Sequence, residues 1–255
     1  MSEIRVEVSD FIAVVTLDNP PVNAMDPDWD LMAIMDSLSE RDDIRVAVLT
    51  GAGDRAFCAG VDVKKAAERA SDEPGSQTAG NRRGRETFYS VMECAVPVIG
   101  AINGHALGAG LAIASSCDYI IASERATFGL PEIDVGLLGG ARHFQRMFPQ
   151  GITRWANFTA QRIDAAEAHR LGSVQRVVPH EDLMDEALSD ARIIAAKMPI
   201  GLKMAKANLN LIEDMDLRNG YRYEQTQTSI LVKTEDALEA KVAFAEKREP
   251  VFRGR

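Results

Sequence analysis

The sequence predicts an α/β fold made of repeated strand-to-helix units and closed by a helical tail. Three observations carry this prediction. Short runs rich in β-branched residues (11–17, 46–50, 96–102 and 173–178) alternate with stretches whose apolar residues fall at helical spacing. Two of the strands end in turns of small residues, Phe57-Cys58-Ala59-Gly60-Val61-Asp62-Val63-Lys64 and Gly104-His105-Ala106-Leu107-Gly108-Ala109-Gly110, each of which opens a helix. From residue 199 onward every segment reads as helix, so the chain divides into a core over 1–198 and a helical C-terminal region over 199–255.

The elements follow in order. Ile4 to Val8 alternates polar with apolar, and Ser9-Asp10 joins it to the run Phe11 to Leu17 as a hairpin. In Asn19-Pro20-Pro21-Val22-Asn23-Ala24 two prolines remove ladder donors, so the segment leaves the sheet as a turn. Asp26 is the expected N-cap of the first helix, with Pro27 at its first position and Leu31, Ile34, Met35 and Leu38 on its apolar face. Val46 to Thr50 is a buried strand and Gly51 to Asp54 its turn. The charged stretch from Lys65 to Gly84, broken by Pro74, Gly75 and Gly80, is expected to form a mobile loop over the site. Phe88, Val91, Met92 and Ala95 mark an amphipathic helix after it.

The chain is organised around Val96 to Glu132. A strand runs into the glycine-rich loop, and a small-residue helix is expected from about Leu111. Such a junction aims unpaired N–H groups and the positive end of a helix dipole at a ligand with negative or developing negative charge. Neither a dinucleotide-type Gly-x-Gly-x-x-Gly near the N-terminus nor a Lys-Ser/Thr pair after the last glycine is present, which disfavours a phosphate cradle. Two such turns can each supply one N–H to a single carbonyl oxygen, the geometry of an oxyanion hole. Helical segments are then expected around 141–148, 161–172, 181–197, 199–214, 217–233 and 235–247, with a last strand over 173–178.

The remaining composition narrows the function. The 255 residues are 46% hydrophobic and carry a net charge of −9, enough for a sizeable core and adverse to nucleic-acid binding. Three cysteines without paired spacing and four scattered histidines point to neither disulfides nor a metal site. The charged N-terminus lacks the apolar core of an export signal, which together with the unpaired cysteines predicts a cytoplasmic protein. The weakly polar run from Val96 to Ser116 contains Asn103, His105 and several glycines, so a buried turn is expected there and no membrane span.

Taken together, Asn19-Pro20-Pro21-Val22-Asn23-Ala24, AFCAGVDVK, GHALGAG, CDYIIASERATFGLPEIDVGLLGG and AFAEKREPVF, in that order over roughly residues 12–252, resemble the enoyl-CoA hydratase/isomerase, or crotonase, superfamily. The resemblance implies a spiral of ββα turns with a helical trimerisation region, assembling as a homotrimer or a pair of trimers. It implies an acyl-CoA thioester as substrate, coenzyme A being part of that substrate and no further cofactor being needed. The implied oxyanion-hole donors are the N–H groups of Val61 and Ala109. Asn23, Ala24, Ala59, Val63 and Lys64 are the implied contacts to coenzyme A, and Phe244 and Lys247 would reach the nucleotide from a neighbouring subunit.

Two glutamates serve the hydratases of this family. The second is present as Glu132 in Gly129-Leu130-Pro131-Glu132, but Ala112 stands where the first belongs. An alanine neither holds water nor carries a proton, so ordinary two-glutamate hydration is in doubt while one acid/base remains. Family members with a single carboxylate include Δ3,Δ2-enoyl-CoA isomerases and hydroxycinnamoyl-CoA hydratase-lyases. The lyases use a tail tyrosine matching Tyr223, but their other tyrosine falls at Ala66 here. A narrower resemblance, carried by CAVPVI, ATFGLPE, His143 after the LGGA turn and the Tyr-Arg-x-Glu-Gln of the tail, is to the branch that hydrolyses cyclic β-diketones in steroid-ring degradation, where His143 would act as base. A catalytically inactive acyl-CoA-binding scaffold is the third alternative, which the retention of Glu132 opposes.

Overall fold

The computed structural model describes residues 2–68 and 73–255. The first half comprises β1 (Glu3–Ser9), β2 (Ile12–Asp18), α1 (Leu31–Glu40), β3 (Val46–Gly51), β4 (Ala56–Cys58), α2 (Val63–Glu68), α3 (Ser76–Glu93), β5 (Val98–Ile102), β6 (His105–Leu107) and α4 (Ala109–Ser116). Then follow β7 (Tyr119–Ser123), β8 (Thr127–Gly129), α5 (Ala141–Met147), α6 (Gln150–Thr159), β9 (Ile163–Asp164), α7 (Ala165–Arg170), β10 (Arg176–Val178) and α8 (Leu183–Ala195). The tail is α9 (Pro199–Ile212), α10 (Leu217–Leu231) and α11 (Glu235–Glu246).

Two sheets share the strands. One has the order β1-β2-β3-β5-β7-β10 and the other β4-β6-β8-β9. Apart from the β1–β2 hairpin and the β8–β9 pair, neighbours are parallel. The chain places a strand in the first sheet, then one in the second, then a helix, and repeats this as β3-β4-α2/α3, β5-β6-α4 and β7-β8-α5. Each repeat moves one strand along both sheets, which is the spiral of ββα turns.

Both faces of the larger sheet are covered, as a parallel sheet requires. On β3, Ala47 and Leu49 enter the main core with Phe57, Leu111, Ile113 and Phe128, while Val46 and Val48 face Leu183, Ala187 and Ala191 of α8. Every residue of α4 is buried. Its small side chains permit that closeness: a Cβ at Gly110 would lie 1.9 Å from the carbonyl oxygen of Cys58, so only glycine lets α4 seat on β4.

Several sequence expectations are corrected. α1 starts at Leu31, capped by Asp30 through the Ala33 N–H, because Asp26 is drawn instead into a turn with the Asp28 N–H and an ion pair with Lys65. The glycine-rich loop contains strand β6, and α4 begins at Ala109, two residues earlier than expected. The expected loop from Lys65 to Gly84 is helical at both ends, in α2 and in an α3 that starts at Ser76; residues 69–72 of it lie outside the described residues. Gly80 and Gly84 do not break α3 because they sit on its open side, while Thr87, Ser90 and Val91 face inward. Helix α6 is an addition, and part of the expected 161–172 helix is strand β9, pairing with β8. α6 escaped notice because Trp155 and Phe158 lie exposed on it and blur the spacing of its buried Thr153 and Ala156.

Candidate active site

Three neighbouring strands converge on one edge. β4, β6 and β8 run parallel, with Cys58 opposite Ala106 and Leu107 opposite Gly129. Beyond their C-terminal ends come Val61, Ala109 and Glu132 in turn, at the edge where open α/β sheets hold ligands.

At each turn the N–H that faces the site has no acceptor among the described residues. At the first, Met25 N–H donates to Gly60 O (2.7 Å) and Asp62 N–H to Met25 O (3.0 Å), a parallel bridge that uses the amides on either side of Val61 but not its own. At the second, Gly108 N–H donates to Gly129 O (3.0 Å) and Ala112 N–H to Gly108 O (3.0 Å). Ala109, as the first residue of α4, has no intrahelical acceptor, and none takes up its N–H among the described residues. Gly108 holds φ 55°, a conformation L side chains rarely adopt. A Cβ there would meet Glu132 Oε1 at 2.5 Å and Gly60 Cα at 3.8 Å, so both turns and the carboxylate surround one point.

Glu132 opens a 3₁₀ turn, Pro131–Val135. Its Oε1 lies over Gly108, and its Oε2 is buried with no hydrogen-bond partner among the described residues. Burial pushes the carboxyl above the ordinary carboxylate range, its own N–H offsetting part of the rise. A carboxyl with a raised pKa and a free oxygen in a cleft has the character of a general acid/base. The neighbouring Cys58 thiol is held by burial at about 12, so no thiolate competes as nucleophile.

The other predicted residues divide. The Asn23 side chain is committed to the scaffold: Nδ2 donates to Ala52 O (2.9 Å) and Ala56 O (2.8 Å), and Oδ1 accepts from Asn19 N–H (3.1 Å). The Asn23 side chain is thus engaged within the protein. Asn103, singled out in the sequence only as a polar break, is its counterpart, accepting from Gly51 N–H (3.2 Å) and donating to Gly53 O (2.8 Å). Together they pin the β3–β4 connection that aims the first turn. Ala24 accepts from Asn19 Nδ2 (2.8 Å), and Ala59 donates its N–H to Val22 O (3.1 Å). Val63 and Lys64 are exposed beside Val61, and Lys64 holds no ion pair among the described residues.

His143 is half-buried on α5, edge-on to Phe88 of α3 with ring centroids 5.3 Å apart. Gly140, before α5, sits against Leu130, while Arg146 donates to Ser115 O (2.6 Å) at the far end of α4. Burial, then Arg146 and Arg142, lowers the imidazole pKa and keeps it neutral at pH 7. Phe88 as the neighbour of His143 was not legible from helical spacing. Tyr223 lies on α10, which packs on α9, and among the described residues no hydrogen bond ties it to Glu132. Phe244 is 87% exposed and Lys247 caps α11 in the left-handed conformation.

The family model for enoyl-CoA hydratase/isomerase matches residues 7–255. The chain belongs to the enoyl-CoA hydratase/isomerase family. Members similar to it include the (7aS)-7a-methyl-1,5-dioxo-2,3,5,6,7,7a-hexahydro-1H-indene-carboxyl-CoA hydrolase of Rhodococcus jostii, 40% identical over 86% of this chain and 84% of that one. The (E)-benzylidenesuccinyl-CoA hydratase of Thauera aromatica is 40% identical over 98% of this chain and 99% of its own. A solved enoyl-CoA hydratase from Bacillus anthracis superposes with TM-score 0.90 at 32% identity, covering 99% of this chain and all of that one. The ββα spiral is thus the family fold, and no described helix of this member is long and apolar enough to cross a membrane.

Proposed function

We propose that the protein acts on an acyl thioester of coenzyme A, polarising the thioester carbonyl between the N–H groups of Val61 and Ala109 and moving one proton with Glu132. The observation that carries this is the meeting of two unused N–H donors and one partnerless carboxylate oxygen beyond three adjacent strand ends. Two fixed donors stabilise an enolate oxygen by about 3 kcal/mol each. The exposed Val63 and Lys64, with the backbone of Ala24 and Ala59, line the approach for coenzyme A, which arrives as part of the substrate; no separate cofactor is invoked.

Ala112 is buried and brings no second carboxylate to α4. With one base, the chemistry is a proton shift: Glu132 takes a proton from a substrate carbon, the pair of electrons passes into the thioester as an enolate, and Glu132 returns the proton elsewhere on the chain. An inert scaffold would have no use for a buried carboxylate oxygen without a partner, which favours an enzyme. The test is turnover of a 3-enoyl-CoA against hydration of crotonyl-CoA. Isomerisation should exceed hydration, and Ala112→Glu should raise hydration; rapid hydration by the unaltered protein would overturn the one-base reading.

The neutral, half-buried His143 favours a second reading, hydrolysis of a cyclic β-diketone CoA thioester like that named for the Rhodococcus relative. There His143 takes a proton from water, the hydroxide adds to the ring ketone, and the C–C bond breaks to a carboxylate and an enolate that Glu132 reprotonates. Tyr223 of a second copy would donate to the ketone oxygen. Loss of diketone cleavage in His143→Ala and Tyr223→Phe selects this reading; absence of cleavage by the unaltered protein removes it. We further assign 199–255 to self-association as a homotrimer or a pair of trimers, supported by the exposed Leu217, Tyr221, Leu238 and Phe244. The buried free thiols of Cys58, Cys94 and Cys117 support a cytoplasmic location.

A further inference from the structure

The bonds around Val61 form a closed lacing between two chain segments, 23–28 and 60–65. The Met25–Val61 bridge joins their middles. Beyond it, Asp62 Oδ1 accepts from the N–H groups of Lys64 and Lys65, both at 3.1 Å, and turns the chain into α2. The Lys65 ammonium then reaches back across the bridge and pairs with Asp26 Oδ2, while Asp26 Oδ1 accepts from Asp28 N–H (2.9 Å). The Asp26 side chain is only 2% exposed, whereas that of Lys65 is 42% exposed, so the carboxylate is fixed in the protein and the ammonium comes to it from the site's rim. Asp62 and Asp28 also face Lys65 and add to the negative charge around it. Burial pushes the Asp26 carboxyl up, and Lys65 with the Asp28 N–H more than reverses that, leaving it below the ordinary range and charged at neutral pH.

Within this lacing the Val61 N–H has no acceptor among the described residues, and its direction is set by the peptide plane between Gly60 and Val61. Gly60 has φ 105°, so it sits in a region where no side chain restrains the backbone, and the plane is steered by what is bonded on either side. One side is the Met25 N–H on Gly60 O; the other is the Asp62 turn that Lys65 ties to Asp26.

We propose that Lys65 is a positioning residue which, through Asp26, aims the Val61 N–H and so sets how strongly that half of the oxyanion hole polarises a thioester carbonyl. This rests on the reading of Val61 as a donor to an acyl-CoA. It separates two adjacent lysines by role. Lys64 is exposed and unpaired among the described residues, and attracts the phosphates of the ligand. Lys65 acts on the carbonyl without touching it.

A cinnamoyl-CoA bearing a para-amino donor tests this, because its absorption moves to the red as its carbonyl is polarised. The unaltered protein should shift the band. Lys65→Met should lose at least about half of that shift and about tenfold in kcat while Kd and KM stay within about threefold, since a misaimed donor costs transition-state stabilisation more than ground-state binding. Lys65→Arg, which can still pair with Asp26, should recover the shift. Lys64→Met should do the reverse of Lys65→Met, weakening binding and leaving the band where it is. If Lys65→Met fails to fold with Asp26 left buried and unpaired, the double variant Asp26→Asn/Lys65→Met removes that charge and is read in the same way. A full red shift in Lys65→Met or in the double variant overturns the positioning role and leaves the proposed function standing. No red shift with the unaltered protein overturns both.

Discussion

The strand ends around Glu132 and the helices of the tail solve opposite problems. At the strand ends the chain satisfies itself: α4 is wholly buried, Gly110 gives it contact with β4, and Asn23 and Asn103 fill the β3–β4 turn with internal hydrogen bonds. Among the described residues, the Val61 and Ala109 N–H groups and Glu132 Oε2 have no partner there. In the tail, Leu209, Leu217, Tyr221, Leu238 and Phe244 stand exposed, and the polar groups tie the helices to the core instead. Lys206 and Asn210 of α9 bond backbone carbonyls of Val91, Val96 and Met92, and Asp236 of α11 accepts from Arg253 and Gly254 N–H. On the proposed function, the unpaired polar groups are where the chemistry is placed, and the uncovered apolar groups where a second copy is placed.

The largest effect should come from cutting the link between the regions. Lys206 is 3% exposed, pairs with Asp118 at 2.8 Å and donates to the carbonyls of Val91 and Val96. Asp118 in turn accepts from Val98 N–H at the start of β5 (2.6 Å). Lys206→Met keeps the volume but strands these groups, and breaking a buried pair from one side costs about 3–5 kcal/mol. Thermal denaturation should show Tm lower by roughly 10 °C for a chain of this size. An unchanged Tm would mean that α9 is held by its apolar contacts alone.

Next in size is the carboxylate itself. Glu132→Gln should lower turnover by at least ~100-fold, the usual scale for a general acid/base, while the protein becomes more stable. The sign follows from its raised pKa: the native state holds the Glu132 proton more tightly than the unfolded chain, whose value is near 4.5, so the unaltered protein loses stability as pH rises through the raised value. Glutamine does not titrate. The gain in Tm should therefore be absent in acid, appear above about pH 4.5 and reach its full size above the raised value. A variant that is both active and no more stable would place the proton transfer elsewhere.

The difference between the regions also governs what could be read from the sequence. The ββα order, the strands 46–50 and 96–102 and the four last helices were legible because apolar period and small-residue turns are local signals. Glu132, Val61 and Ala109 were legible through motifs of fixed spacing. The pairing of Asp26 with Lys65 was not, because Asp26-Pro27 is an equally good N-cap signal and only the folded approach of α2 decides between them. The internal bonds of Asn23 were not legible either: a polar residue in a motif does not announce that its amide is bonded to Ala52 and Ala56. The stretch from 65 to 84 read as loop because composition averages over a helix whose outward face is polar and whose inward residues, Thr87, Ser90 and Val91, lie beyond it.

The smallest effect on stability should fall where the apolar surface is most exposed, and it separates a bare tail from one covered by another copy. Phe244 is 87% exposed, so Phe244→Ser removes almost no contact within one chain and should move the stability of a dilute monomer by no more than about 0.5 kcal/mol. If a second copy covers α11, the same change takes an aromatic anchor out of an interface, where truncating one costs about 2 kcal/mol or more. Light scattering across a dilution series reads this directly: the unaltered protein should hold the mass of a trimer or a pair of trimers to low micromolar concentration, and the variant should dissociate at higher concentration. KM for a CoA thioester should rise in parallel, since Phe244 and Lys247 would then leave the nucleotide together, while kcat at saturation stays with Glu132. A variant that holds both its mass and its KM would show that the exposed tail aromatic serves neither the assembly nor the ligand, and would leave the strand-end site to work within a single chain.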